Sequence, residues 1–339
     1  MVNATHVSYN ASERSYYAII KKEAHALAAA ARFEPKRIAE VDIIVAELTS
    51  NLNKYADQGE ILLGHFKETE NEYIEVICMD NGPGMGDPRR MGRDGFSSTN
   101  TLGHGLGSIK RLSDKMDIYT QKGWGTIVLS RIYRSPQVKT RAKGGLEVRA
   151  IVVAKPGEEK SGDGYYCMAN GKEVKLMLAD GLGHGPDANL AMNEAVNALH
   201  GCAFDLPVDI IRYINSFIRK TRGVVATVVT FDLEKNIFNI AGVGNIATKL
   251  HGNMTSKNHL AYNGIIGHTI PNTMNDQQGS LTEYHQVILC SDGIKSRWDL
   301  AKYPGIQKND LSVQAAAIYK DFARRTDDMS VVIAKLNPK

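Results

Sequence analysis

Residues 78–86 read C-M-D-N-G-P-G-M-G. The apolar run from Tyr73 to Met79 leads into this stretch as a buried strand, so Asp80 places a carboxylate at a strand terminus. Gly82, Gly84 and Gly86 then free the backbone from the steric limits of a side chain. Upstream, a helical pattern opens at Pro35, a residue suited to the first helical turn, and runs to about Ala56. Val41, Ile44, Val45, Leu48, Leu52 and Tyr55 form its apolar face, and Glu47, Asn51 and Lys54 share a neighbouring one. Downstream, L-G-H-G-L-G-S-I-K-R-L (102–112) sets Gly103, Gly105 and Gly107 ahead of a predicted helix from Leu106 to Lys115. Strands are expected at 60–66, near Asp117 and at 125–133. Helices laid on one face of a mixed sheet follow from this order.

The chain has 339 residues, 43% hydrophobic and 23% charged, which is room for two domains with a core each. A net charge of +4, with bases and acids interspersed, gives no extended nucleic-acid footprint. Cys78, Cys167, Cys202 and Cys290 are widely spaced and form no C-x-x-C pair, as expected of reduced thiols. The first ten residues lack a secretory pattern, and no apolar run approaches the roughly 18 residues of a membrane span. A cytoplasmic protein without membrane attachment is expected.

Between Arg131 and Gly145 the chain reads R-I-Y-R-S-P-Q-V-K-T-R-A-K-G-G, basic throughout and broken by proline and a double glycine. A solvated linker at 135–145 is expected there, between domains at 1–134 and 146–339. Beyond it strand patterns dominate, at 146–154, 164–169, 174–179, 224–231, 287–290 and 329–336. Helical patterns at 187–203, 207–222 and 311–324 interrupt them, which suggests stacked sheets flanked by helices.

Glu47 and Asn51, four residues apart, present a carboxylate able to polarise a hydroxyl and an amide oxygen able to bind Mg²⁺. Amides at the start of the helix after Gly105 form a ready phosphate site. In the second half, aspartates stand at strand edges among small residues: S-G-D-G (Asp163), L-A-D-G-L-G-H-G (Asp180), C-S-D-G (Asp292) and T-D-D-M-S (Asp327, Asp328). Singly, such pairs are common hairpin turns. Gathered at one edge they suggest hard divalent cations, with Gly181 free to offer a carbonyl.

In order and spacing, E-L-T-S-N (47–51), D-N-G-P-G (80–84), G-H-G-L-G (103–107) and G-W-G-T (123–126) resemble the GHKL ATPase superfamily. Within it, residues 1–134 are most similar to RsbT-type switch kinases. The resemblance implies ATP as cofactor and an α/β sandwich. It further implies Asp80 on the adenine amino group with Thr126 beside it, and Asn51 on Mg²⁺. Lys54, Gly82, Gly84, Gly103, His104, Gly105, Leu106 and Gly107 would lie about the nucleotide, with Glu47 as base for a protein hydroxyl.

Residues 146–336 resemble the PPM-type phosphatases, in the SpoIIE and RsbX branch. That implies a β-sandwich flanked by helices and a binuclear Mg²⁺ or Mn²⁺ centre. Asp180 would bridge the metals, Gly181 would add its carbonyl, Asp292 and Asp327 would complete the ligands, and Asp163 would join them. Asp328 is the alternate to Asp327, and His184 and Arg149 have no settled role. The fold class is therefore α+β. The function implied is a bacterial switch that phosphorylates and dephosphorylates serine or threonine of a STAS-domain antagonist or stressosome-like scaffold. The alternative is an ATP-binding module, anti-sigma-like or nucleotide-sensing and tied to a sigma-factor regulator, that controls one active phosphatase.

Overall fold

The computed structural model describes residues 6–11, 13–56, 58–67, 71–85, 105–135, 145–252 and 255–337. They form two compact units. One gathers the described residues of His6–Lys139 and Asp299–Lys320, the other those of Thr140–Trp298 and Asp321–Lys339. In sequence, Asp299–Lys320 lies inside the stretch 146–339. In packing it belongs with the first unit.

The first unit is built on a sheet of order β1-β2-β3-β5-β4, where β1 is Val7–Asn10, β2 Gly59–Lys67, β3 Glu72–Asp80, β4 Lys115–Gln121 and β5 Gly125–Tyr133. Helices α1 (Arg14–Ala30) and α2 (Pro35–Tyr55) cover one face. Val41, Ile44, Val45, Leu48 and Leu52 of α2 meet Ile61, Ile74, Val76, Cys78 and Val128 of the sheet. Tyr55, expected on that stripe, is 47% exposed. It closes the helix, and its carbonyl lies beside Gly82, past the end of β3, where the sheet no longer covers it.

The sheet expected to be mixed pairs antiparallel at every described ladder. The reason is topological. Two helices between β1 and β2 return the chain to its starting end. The one parallel relation between strands consecutive in the chain, β3 to β4 across α3 (Gly105–Leu112), is separated by β5 inserted between them.

Every residue of β5 is buried, as are the seven inner residues of β3. An antiparallel sheet with one wet face would alternate. Here Asp299–Lys320, with its 3-10 turns Leu300–Lys302 and Ile306–Lys308 and the helix that starts at Leu311, covers the face opposite α1 and α2. Arg131, first residue of the basic run read from the sequence, is accordingly a buried strand residue. Its Nε meets Glu75 Oε2 at 2.5 Å, and Asp310 and Ser312 complete its shell.

The second unit is a sandwich of two antiparallel sheets, β13-β10-β9-β8-β7 and β12-β11-β14-β15-β6. Its strands are β6 (Leu146–Val153), β7 (Asp163–Asn170), β8 (Glu173–Gly181), β9 (Val224–Asp232), β10 (Ile237–Val243), β11 (Ala247–His251), β12 (Ser256–His259), β13 (Gln277–Ser280), β14 (Gln286–Cys290) and β15 (Met329–Leu336). Leu176, Leu178, Val229, Phe231, Leu289 and Val332 fill the space between the sheets. Helices α4 (Pro186–His200) and α5 (Pro207–Phe217) pack outside the first sheet, Ala191, Ala195 and Ile211 against Met177 and Val228. The remaining helix, α6, is Leu311–Phe322.

Helix α5 stops at Phe217, short of the expected Arg222. Thr221 Oγ1 donates to Ile218 O at 2.8 Å and accepts from Gly223 N at 3.0 Å, a local turn that competes with the helix. No helix among the described residues is long and apolar enough to cross a membrane.

Candidate functional sites

In the first unit, the end of α2, the end of β3 and the start of α3 converge. Gly105, the first residue of α3, lies so close to α2 that a Cβ there would stand 2.9 Å from Glu47 Oε2 and 3.4 Å from Asn51 Oδ1. Glu47 and Asn51 are half-buried, and Lys54 is exposed one turn further on. Gly105 thus rests on the carboxylate and amide. Leu106 and Gly107 follow on the same helix. Gly103 and His104 lie outside the described residues.

Asp80 is fixed from two sides. Its Oδ1 accepts from the amide of Gly82 at 2.8 Å and from that of Thr126 at 3.2 Å. Burial pushes the carboxyl up, against the pull of those two amides and of the Lys320 charge. Both of these amides go to Oδ1, and neither goes to Oδ2. Gly84 needs its glycine: φ is +76° and a Cβ would strike Gln121 O. Thr120 Oγ1 ties the loop down, accepting from Met85 N at 2.8 Å and bonding Thr126 Oγ1 at 3.1 Å.

In the second unit the aspartates gather at one end of the sandwich. Asp163 and Asp180 are directly paired across β7 and β8, a placement that sets like charges side by side and is unfavourable without a counter-ion. Burial, then the other aspartates (Asp163, Asp292, Asp327 and Asp328), raise the carboxyl of Asp180 far above its ordinary range. Burial likewise raises that of Asp163, against hydrogen bonds from Ser291 and Ser330. Ser330 Oγ donates to Asp163 Oδ2 at 2.7 Å, while Asp163 Oδ1 is buried without a hydrogen-bond partner.

The two members of the D-D pair differ. Asp328 is buried and both its oxygens are used, by Lys155 N and Gly162 N, each at 2.8 Å. Asp327 is half-buried and accepts from the Asp328 amide at 3.0 Å. Gly181 is pressed against the Ala188 carbonyl at the start of α4. Among the described residues no three His, Cys, Asp or Glu side chains are close enough together to hold a metal ion. The orphaned Asp163 oxygen and the oxygen-only donor set fit a hard divalent cation.

A model of the histidine kinase-like ATPase domain matches residues 10–132, and a model of stage II sporulation protein E (SpoIIE) matches residues 170–337. This chain joins a histidine kinase-like ATPase domain to a SpoIIE domain of the PPM phosphatase class. Over 88 residues it is 34% identical to the serine/threonine-protein kinase RsbT of Bacillus subtilis (strain 168), covering 26% of this chain and 66% of that protein. Over 97 residues it is 30% identical to the phosphoserine phosphatase RsbX of the same organism, covering 29% of this chain and 49% of that protein. The chain therefore spans just under two thirds of the one relative and about half of the other. A solved structure described as "The bacterial stressosome: a modular system that has been adapted to control secondary messenger signaling" is 28% identical with a TM-score of 0.51. It covers 56% of this chain and 99% of its own.

Asn245, Arg222 and Lys320 escaped the sequence reading, which named His184 and Arg149 without a settled role. In the SpoIIE domain Asn245 donates from Nδ2 to Asp292 Oδ2 at 2.9 Å. It is presented by a turn in which Gly244 takes φ +103°. The only signal was V-G-N after an unrecognised strand. Arg222 lies beside the Asp180 loop, near Gly183, and pairs with Asp187 at 2.6 Å. His184 pairs with Glu158 at 2.8 Å. Arg149 pairs with Ile333, four residues along the ladder from the Met329–Val153 pair, roughly 13 Å from the aspartate end. In the ATPase domain, Lys320 reaches Trp124, a contact spanning 196 positions that no local motif announces.

Proposed function

We propose that the chain is a bifunctional bacterial signalling switch, with a kinase domain at 1–134, a linker at 135–145 and a phosphatase domain at 146–339. One observation carries the reading above all. An RsbT-like and an RsbX-like stretch lie in one chain.

In the kinase reading, Asp80 accepts the adenine amino group beside Thr126, and Asn51 turns its amide oxygen to Mg²⁺. Gly82, Gly84, Gly103, His104, Gly105, Leu106 and Gly107, with Lys54 at the rim, line the nucleotide. Glu47 takes the proton of a serine or threonine hydroxyl. That oxygen bonds the γ-phosphorus as the bond to the ADP oxygen breaks.

In the phosphatase reading, Asp163, Asp180, Asp292, Asp327 and the Gly181 carbonyl would hold Mg²⁺ or Mn²⁺, in the binuclear set that the family resemblance implies. When bound, the ions supply positive charge for the transferring phosphoryl group. Asn245 holds one oxygen of Asp292, and Asp328 fixes the backbone around Lys155 and Gly162. One water is consumed, its oxygen bonding phosphorus as the bond to the serine or threonine oxygen breaks, and the products are a free hydroxyl and inorganic phosphate. The substrate of both halves is a STAS-domain antagonist or a stressosome-like scaffold protein.

The test offers γ-labelled ATP, Mg²⁺ and each STAS-domain protein of the source genome to the purified chain. Label on serine or threonine of one of them supports the kinase half, and no labelled protein refutes it. Release of phosphate from the same phosphoprotein, stopped by EDTA and restored by Mn²⁺ or Mg²⁺, supports the other half.

A further inference from the structure

Lys320 is encoded between Asp292 and Asp327, inside the span matched by SpoIIE, yet it sits in the ATPase unit. Its Nζ donates to the Trp124 carbonyl at 3.0 Å and stands 4.0 Å from the centroid of the Trp124 ring. Trp124 is also held edge-on, by Tyr119 at 5.6 Å and by Tyr303 at 5.5 Å between centroids. The next residue, Gly125, has φ +116° and lies so close to the Asp80 carbonyl that no side chain fits there. Thr126 follows, and its amide is one of the two that fix Asp80 Oδ1.

The helix that carries Lys320 is itself anchored. The neighbouring Tyr319 donates from its hydroxyl to Glu60 Oε1 at 2.8 Å, and Asp310 before the helix binds Arg131. An ammonium group held this way pins both the carbonyl and the ring of a turn whose next two residues shape the Asp80 pocket.

We propose that Lys320 is a positioning residue of the nucleotide site, holding the Trp124–Gly125 turn that presents Thr126 to Asp80. This rests on the reading of Asp80 as the adenine-binding group. The kinase site is then completed by a residue from the phosphatase half of the sequence.

The experiment is calorimetric titration of the full-length chain with ADP between about pH 5 and 8, for wild type, Lys320→Met and Lys320→Arg. Among the described residues, besides Lys320, the groups facing the Asp80 carboxylate are the amides of Gly82 and Thr126 and the buried thiol of Cys78. Asp80 must be ionised to accept from adenine, and the Lys320 charge favours that state. Lys320→Met should therefore weaken ADP by about tenfold near neutral pH. It should also move the acid limb of the affinity profile to higher pH, and Lys320→Arg should restore most of both. A variant that melts earlier but binds ADP like wild type, with an unmoved acid limb, overturns the proposal and leaves the nucleotide site standing. Failure of the wild type to bind ADP at any pH overturns the nucleotide reading and this proposal with it.

Discussion

Arg131 and Asp310 stand 179 positions apart and meet through two hydrogen bonds of 2.8 Å, Nη1 to Oδ2 and Nη2 to Oδ1. The guanidinium is wholly buried. Glu75 takes its Nε, Tyr73 lies 5.6 Å from it, and His6 completes the row at 3.1 Å from Glu75. One strand pairing, Glu75 opposite Arg131, thereby becomes the seat for a segment that arrives late in the chain.

Removing one partner of such a group leaves charge uncompensated in the interior. Asp310→Ala should cost the ATPase unit about 3–5 kcal/mol, read by urea denaturation of the full chain. A loss under about 1 kcal/mol, the scale of an exposed pair, would show the network to be peripheral.

The same network sets an acid limit. Burial alone would raise the Glu75 carboxyl, but the Arg131 charge and the His6 hydrogen bond outweigh it and hold it down at about 2. A carboxylate with a depressed native pKa stabilises the fold above its unfolded value and loses that contribution as pH falls. On the order of 3 kcal/mol should therefore disappear between about pH 4.5 and 2, with Asp310, also depressed by Arg131, acting in the same direction. In Glu75→Gln this acid-dependent loss should shrink, as measured by denaturation at stepped pH.

The aspartate cluster of the SpoIIE domain has the opposite sign. Asp163 and Asp180 are raised in the fold, so the native state binds more protons than the unfolded chain, and stability falls as pH rises. In EDTA the melting midpoint should be lower at about pH 8 than at about pH 6, and Mg²⁺ or Mn²⁺ should close that gap. Asp180→Asn should stabilise the metal-free protein and abolish the response to metal. A metal-free midpoint that rises with pH would contradict the clustering.

Gly105→Ala probes the ATP site without altering any charged group. The new methyl meets Glu47 Oε2 and Asn51 Oδ1, whereas Gly145 has open space around it. ADP affinity should drop by about tenfold in the first variant and stay unchanged in Gly145→Ala. Equal affinities would place the nucleotide elsewhere.

What could be read from the sequence was whatever is local. Pro35 and the apolar stripe from Val41 to Leu52 specify α2 through spacing alone, and the D-G turns mark Asp163, Asp180 and Asp292 because small residues flank each carboxylate. What could not be read depends on distant partners. Strands β12 (S-K-N-H) and β13 (Q-Q-G-S) are short and polar, and only pairing with neighbours makes them strands. Arg131, expected in the strand 125–133 at the head of a basic run, gave no local sign of burial because its counter-ions are Glu75 and Asp310, far away in sequence. Lys320 and Asn245 carried no pattern, since each matters only for the group it touches.

The central claim is that two opposed chemistries act on one protein from one chain. It is tested most directly by following label from γ-labelled ATP on the STAS-domain partner in the presence of Mg²⁺ and Mn²⁺, for wild type, Asp292→Asn and Glu47→Gln. The account predicts transient label with wild type, stable accumulation with Asp292→Asn and none with Glu47→Gln. Label that accumulates equally with Glu47→Gln, or that decays with Asp292→Asn as fast as with wild type, would contradict it.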